Sequence, residues 1–189
     1  MSFYLDEELR ALGFRSLGRN VKVSRRASIY GASRIDLGDY ARIDDFCVLS
    51  AGEHGIHIGR NVHVAVFCSL IGAGRIELRD FSGLSSRVSI YSSNDDYSGA
   101  FLTNPTVPVE YTNVTSAPVI VGRHVIIGAG AIVLPGVTIG EGAAVGSLSL
   151  VKKDCEVFGV YFGSPAKRMG SRRRDLCELD RRYLAGEEV

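Results

Sequence analysis

Aliphatic residues recur every six positions in the second half of the chain, at Val121, Ile127, Val133, Ile139, Val145, Val151 and Val157. From Ile127 onward a small or apolar residue follows four positions later, at Ala131, Val137, Ala143, Ser149 and Cys155, and Gly122, Gly128, Gly140 and Gly146 stand directly after an aliphatic. A period of six fits neither the 3.6 residues of a helical turn nor the alternation of a half-buried strand. It fits a three-sided coil: each hexapeptide is one flat side, about eighteen residues complete a turn, and the turns stack as parallel strands with the aliphatics inside. The glycines are expected to supply the corner conformations that other residues resist.

The same pattern starts earlier in looser form, as the triplets Leu17, Val23, Ile29, then Leu37, Ile43, Leu49, then Ile58, Val64, Leu70, then Leu78, Leu84, Ile90. Successive triplets begin 20, 21 and 20 residues apart, so each of these turns carries two or three extra residues at one corner. The next triplet begins 43 residues after Leu78, which leaves an insertion over about 92–116 with no six-residue repeat. That segment is polar but holds tyrosines and prolines, so it reads as an ordered flap, and a long loop thrown out of a compact repeat directs the search for a site to its base.

An open coil exposes unpaired strands at both ends and needs lids. Residues 2–12 suit a short helix capped by Ser2, with Leu5, Leu9 and Leu12 on one face and Gly13 as its stop. Residues 1–16 are therefore expected as an N-terminal cap, 17–168 as the coil, and 169–189 as a helical tail in which Leu176, Leu179 and Tyr183 share a face. The tail reads as a second end cap; alternatively Arg172, Arg173 and Arg174 lie near a bound phosphate.

Charge changes little in this picture. Lysine plus arginine number 22 against 21 acidic residues, a formal charge of +1 that gives no basic track for nucleic acid. No apolar run long enough for a membrane span or signal peptide occurs, so a cytoplasmic protein without a membrane partner is expected. Cys47, Cys68 and Cys155 each follow a repeat aliphatic by four positions and read as small core fillers rather than nucleophiles or metal ligands.

Hexapeptides interrupted by one long loop, followed by HVIIGAGAIVLPGVTIGEGAAVGSLSLVKKD and GSPAKR, resemble the hexapeptide-repeat acyltransferases, in particular the maltose and galactoside O-acetyltransferases and the sugar acetyltransferases of surface-polysaccharide synthesis. The resemblance implies an all-β left-handed parallel β-helix and a homotrimer with acetyl-CoA in the groove between subunits. It implies acetyl transfer to the hydroxyl or amine of a sugar or nucleotide sugar. Carried over position by position, the Ala129 amide holds the thioester oxygen, Ser147 meets the pantetheine arm, and Lys152, Lys153, Lys167 and Arg168 flank the nucleotide end; no metal is implied.

Two departures bear on the acceptor. Asp95 stands where the family places a catalytic histidine, and Ala65 stands where it places an asparagine. General-base work is therefore expected from Asp95 and Asp96, with one pKa raised by burial or by the neighbouring carboxylate, and His63 is expected to supply or orient the base. Tyr91, Asn94 and Tyr97 beside them are expected to contact the acceptor, and a carboxylate base tilts the reading toward an amino sugar. Two other readings stand beside this one: a zinc carbonic anhydrase on the same coil, which needs three converging histidines from among His54, His57, His63 and His124, and a coil that has lost catalysis and serves in assembly.

Overall fold

A computed structural model describes residues 2–186; Met1 of the expected N-terminal cap and the last three residues of the expected tail lie outside the described residues. The chain winds through about seven turns of a left-handed parallel β-helix. Its first face stacks Ser16–Leu17, Ile35–Leu37, Ile56–Ile58, Ile76–Leu78, Val119–Val121 and Thr138–Ile139. The second carries Lys22–Val23, Arg42–Ile43, His63–Val64, Gly83–Leu84, Ile126–Ile127, Ala144–Val145 and Gly159–Phe162, closed by the antiparallel strand Lys167–Ser171. The third stacks Ser28–Tyr30, Val48–Ala51, Ser69–Gly72, Ser89–Tyr91, Ile132–Val133 and Leu150–Val151.

The predicted aliphatics fall into register inside the prism. Leu37, Ile58, Leu78, Val121 and Ile139 form one buried column, and Ile43, Val64, Leu84, Ile127 and Val145 form the next. Burial of each side chain depends on the copies stacked above and below it. Cys47, Cys68 and Cys155 are free and buried among them. The Cys47 and Cys68 thiols donate to the carbonyls of Ala65 and Ser85 at 3.0 and 3.1 Å, and burial pushes the Cys155 thiol up to about 11.

The repeat ends one step earlier than its spacing suggests. Val157 is exposed because Cys155 takes the inward place over Ile139, and Tyr161 takes the next inward place, in register with Val145. No further coil lies beyond it, so an aliphatic there has nothing to stack on, whereas a tyrosine can cover the open end and donate or accept at its rim. Its hydroxyl accepts from the Glu156 amide at 2.8 Å.

The role expected of the repeat glycines is also different. The left-handed corner positions fall two residues later and are taken mostly by other residues, among them Asn61 (φ 53°), Phe67 (φ 63°), His124 (φ 59°) and Leu148 (φ 59°). Gly122, Gly128 and Gly140 are required instead by close approach: a Cβ on Gly122 would lie 2.7 Å from the Glu141 amide nitrogen in the next turn. The strain of aromatic residues at the second corner is balanced by stacking, with Phe46 and Phe67 rings 5.0 Å apart and Arg26 and Arg87 over their outer faces.

The extra residues of the early turns lie at the corner between the third and first faces, where Ala32–Arg34 forms one turn of 3₁₀ helix. At the N-terminal end, α1 (Asp6–Ala11) buries Leu9 over the first turn, while Leu5 is exposed at its N-cap. The cap is not Ser2. The Glu8 carboxylate accepts the Leu5 amide at 2.7 Å, so the first turn is closed from inside the helix.

The tail departs from an end cap. Helix α2 (Leu176–Ala185) packs back along the corner between the first and second faces, with Tyr183 edge-on to Phe81 and Asp180 accepting from Arg123 and His124, both at 2.5 Å. Arg172 donates to the carbonyls of His124 and Gly142, Arg173 pairs with Asp175, and Arg174 lies over Phe158. Each side chain of the basic run thus has a partner within the chain.

Candidate active site

The long insertion leaves the coil after Tyr91, the last residue of a third-face strand. Ser92 is fully buried, and its hydroxyl donates to the Gly74 carbonyl at 2.6 Å, which pins the exit to the turn below. Ser93–Asn94 then pairs antiparallel with Thr115–Ser116, so the loop rises from a two-stranded stem. Rigid at the root and exposed at Tyr97, Val109 and Tyr111, it forms the flap expected from its composition.

At that root lies a cavity of about 690 Å3. One wall is polar, with Tyr91, Asn94, Asp95 and Tyr97; the other is apolar, with Ile132, Leu134 and Leu150 of the following third-face turns. The structure thus gathers Asp95 with all three expected acceptor contacts. Asp96 is occupied differently. Its carboxylate accepts from the Ser98 hydroxyl and amide at 2.6 and 2.8 Å and from the Asn113 side chain at 3.4 Å, which ties the two limbs of the loop together. Led by the Ser98 hydroxyl, these donors hold its carboxyl below the usual range, opposite to the raised value expected for one of the pair.

The apolar wall continues to the expected donor residues. Leu148 donates its amide to the Ala129 carbonyl at 2.9 Å, which sets Ala129 and Ser147 on adjacent turns of one exposed corner. The Ala166 amide donates to the Leu150 carbonyl at 2.8 Å, bringing the 163–168 segment beside the end of the third face, where Lys152 and Lys153 also stand. Lys152, Lys153 and Lys167 are exposed and form no ion pair among the described residues. Arg168 is engaged by Ser171 at 2.8 Å and by Glu156 at 3.4 Å.

His63 is elsewhere in the same chain. It projects from the second face, with Nε2 2.8 Å from Asp44 Oδ2, while Arg42 Nε donates to Oδ1 at 2.7 Å. Burial raises the Asp44 carboxyl, but the hydrogen bonds from His63 and Arg42 outweigh it and leave the group below its ordinary value. Because the carboxylate accepts, Nε2 carries the hydrogen and Nδ1 is left with the lone pair in the neutral ring. A shallow cavity of about 320 Å3 beside His63 includes Ala65, Ser85 and Ser86. His54 and His57 lie on a corner and on the first face, and His124 is bound to Asp180, so the four histidines share no centre; among the described residues no group of three His, Cys, Asp or Glu side chains could hold a metal ion.

No motif in the sequence marks Asp44, which holds His63, or Ser85, which lines the cavity beside it. Both follow an inward aliphatic of the second face, in the column that also holds Ser24, Ala65 and Gly128. The one signal was a carboxylate in a column of small residues.

A coil of hexapeptides stacked as parallel strands and interrupted by one long loop is the layout of an acyltransferase of the hexapeptide class. The family described as "Bacterial transferase hexapeptide (six repeats)" matches residues 118–153. Over 178 residues the chain is 55% identical to the dTDP-4-amino-4,6-dideoxy-D-glucose acyltransferase of Escherichia coli, covering 94% of this chain and 93% of that protein. It belongs to the hexapeptide-repeat acyltransferase family. Among solved structures, AntD, an N-acyltransferase from Bacillus cereus in complex with dTDP and 3-hydroxybutyryl-CoA, superposes with a TM-score of 0.94 at 44% identity over 98% of this chain and 97% of that one. A maltose O-acetyltransferase from Clostridium difficile, 22% identical with a TM-score of 0.60 over 89% of this chain and 75% of that one, shares the fold. No helix among the described residues is long and apolar enough to cross a membrane.

Proposed function

We propose that this chain transfers the acyl group of an acyl-CoA, acetyl-CoA in the simplest case, to the amino group of a dTDP-linked 4-amino-4,6-dideoxyhexose. The observation that carries this reading is the 55% identity, over nearly the whole of both chains, to a relative named for that acceptor. Asp95 supports it independently. A carboxylate is a weak base toward a sugar hydroxyl but a suitable acceptor for a proton of an ammonium group, which it also attracts by charge.

The residues present fit coenzyme A. Three ammonium groups without ion pairs suit its phosphates, and the apolar Ile132, Leu134 and Leu150 along the groove, with the exposed Leu148, suit the pantetheine arm. The thioester supplies an activated acyl carbon. The acceptor reacts as its neutral amine, one ammonium proton having gone to solvent; Asp95 holds it and takes a second proton as nitrogen bonds to that carbon, and the Ala129 amide, fixed by the coil, donates to the oxygen on which charge develops. As the carbon–sulfur bond breaks, the proton passes from Asp95 to the departing thiolate, so Asp95 returns to its starting state. Asp96 supports the loop that carries Asp95. Tyr91, Asn94 and Tyr97 hold the acceptor, Ser147 holds the pantetheine, and Lys152, Lys153, Lys167 and Arg168 hold its nucleotide end.

His63 and Asp95 face outward from different faces of one prism. A homotrimer with the prisms parallel sets the second face of one copy against the loop root of the next and lets His63–Asp44 complete the site. The chain then reads as a cytoplasmic enzyme whose acylated nucleotide sugar feeds glycosyl transfer in surface-polysaccharide assembly.

The test is coenzyme A release from acetyl-CoA with dTDP-4-amino-4,6-dideoxyglucose, compared with the 4-hydroxy sugar nucleotide and with maltose. Turnover confined to the amine is expected. Equal turnover of the hydroxyl sugar, or none with any acceptor, would overturn the assignment.

A further inference from the structure

The strand Lys167–Ser171 and helix α2 contribute no buried residue between them. A ten-residue helix is too short to persist in water by itself, so α2 keeps its place on the coil through a few side-chain contacts rather than through apolar burial. The strand is tied along one edge only, to Gly159–Phe162.

The contacts of both elements converge on His124, which stands at a left-handed corner (φ 59°) with its ring stacked on Phe81. Its Nε2 lies 2.5 Å from Asp180 Oδ2 of α2, and its carbonyl accepts from Arg172 Nη1, in the link between strand and helix, at 2.8 Å. Arg123 Nη2 donates to the same Asp180 oxygen at 2.5 Å. The Asp180 and His124 side chains are each 9% exposed, and Asp180 Oδ1 is buried with no partner among the described residues. Burying a carboxylate with one oxygen unsatisfied costs desolvation that its ion pair does not fully return, so the cluster is a poor source of stability. What it does secure is one position for α2, and that position is passed back along the chain. Arg172 follows Ser171 directly, and the Ser171 hydroxyl accepts from Arg168 Nη2 at 2.8 Å. Asp180, His124, Arg172, Ser171 and Arg168 thus form one unbroken series within a single chain.

Resting on the proposed use of Lys167 and Arg168 for the nucleotide end of coenzyme A, we infer that Asp180 is a positioning residue for the acyl donor. Through His124 and Arg172 it sets the far end of the Lys167–Ser171 strand, and with it the Arg168 guanidinium that meets a phosphate. Without Asp180 the helix is free to leave the corner, and the strand keeps only its one hydrogen-bonded edge. The thioester end of the donor, at Ala129 and Ser147, does not depend on this series.

The experiment uses the full chain and compares the parent with Asp180→Asn, Arg168→Ala and the double variant. Calorimetric titration reads the Kd of coenzyme A without any acceptor. Steady-state kinetics reads kcat and KM for acetyl-CoA and for acetyl-pantetheine, which carries the thioester arm but no nucleotide. Asparagine has the shape of aspartate and position 180 lies outside the prism, so the coil should fold as in the parent. Asp180→Asn should weaken coenzyme A and raise KM for acetyl-CoA about tenfold, the scale of one hydrogen bond to a charged group, with kcat kept. Its kcat/KM for acetyl-pantetheine should equal the parent's, whereas a general loosening of the fold would lower both. The double variant should bind coenzyme A no worse than Arg168→Ala, because the effect of Asp180 runs through Arg168. An Asp180→Asn protein that binds coenzyme A like the parent, that loses turnover of both donors equally, or whose loss adds in full to that of Arg168→Ala overturns the positioning role alone. A parent that neither binds coenzyme A nor acylates the nucleotide sugar overturns the proposed function and this role with it.

Discussion

His63 Nε2 stands 2.8 Å from the buried Asp44 Oδ2 on the preceding turn. The pairing fixes the ring and its tautomer, and the register of the second-face strands fixes the distance, because Arg42 lies directly beneath His63 and Asp44 is two residues on. Asp44 thereby fixes the orientation of the His63 ring. His63→Ala should lower kcat about 100-fold, the low end for general acid–base groups. Asp44→Asn should lower it less, and the double variant should be no worse than His63→Ala. Strictly additive losses would separate Asp44 from His63 function.

The two loop carboxylates should divide by role. Asp95→Asn should reduce kcat about 100-fold or more with KM for acetyl-CoA unchanged. Asp96→Asn, which loosens the tie to Ser98 and Asn113, should chiefly raise KM for the acceptor and increase proteolytic nicking of the 92–116 segment. Steady-state kinetics on both variants settles the division, and equal kcat losses would contradict it.

Acid should destabilise the coil through its first face. The Arg15 guanidinium, then the Ser16 hydroxyl and His57, hold the Asp36 carboxyl well below the usual carboxylate range. Burial works against a low value at Glu77, yet Arg79, Arg75 and His57 bring it below its ordinary value as well. A carboxyl whose folded pKa is depressed takes up protons first in the unfolded chain, so its stabilisation is complete above about pH 5 and is lost as pH falls through the carboxylate range toward the folded pKa. The melting temperature should therefore fall steadily below about pH 5, and Asp36→Asn should flatten that slope. An unchanged slope in Asp36→Asn would remove this pair from the account.

Gly122→Ala tests why the repeat carries glycine. The new Cβ would meet the Glu141 nitrogen, the Ile139 oxygen and the Gly140 carbon, all at 2.9 Å or less and all backbone, so no side chain can move aside. The turn spacing must open instead, at about 2–3 kcal/mol. Thermal denaturation should show a melting temperature lower by several degrees.

Much of this protein was written in its periodicity. Ile127, Val133 and Ile139 could be assigned to the interior without coordinates because a six-residue repeat is met by a coil whose turns bury each other's aliphatics, and the break between Ile90 and Val121 gave the loop for the same reason, while Asp95 at its root came from the family resemblance. What repeats locally is legible locally. The sequence left open everything that depends on which residue of one turn lies over which residue of another. The pairing of Asp44 with His63 and the return of α2 to meet Phe81 and Arg123 join positions from 19 to more than 50 residues apart. Extra corner residues shift those distances from turn to turn. Val157 shows the same limit from the other side: it keeps the spacing of the repeat and is exposed, because the last turn shifts register and Cys155 takes the inward place over Ile139, a shift set by how Tyr161 and the Lys167–Ser171 strand close the end of the prism.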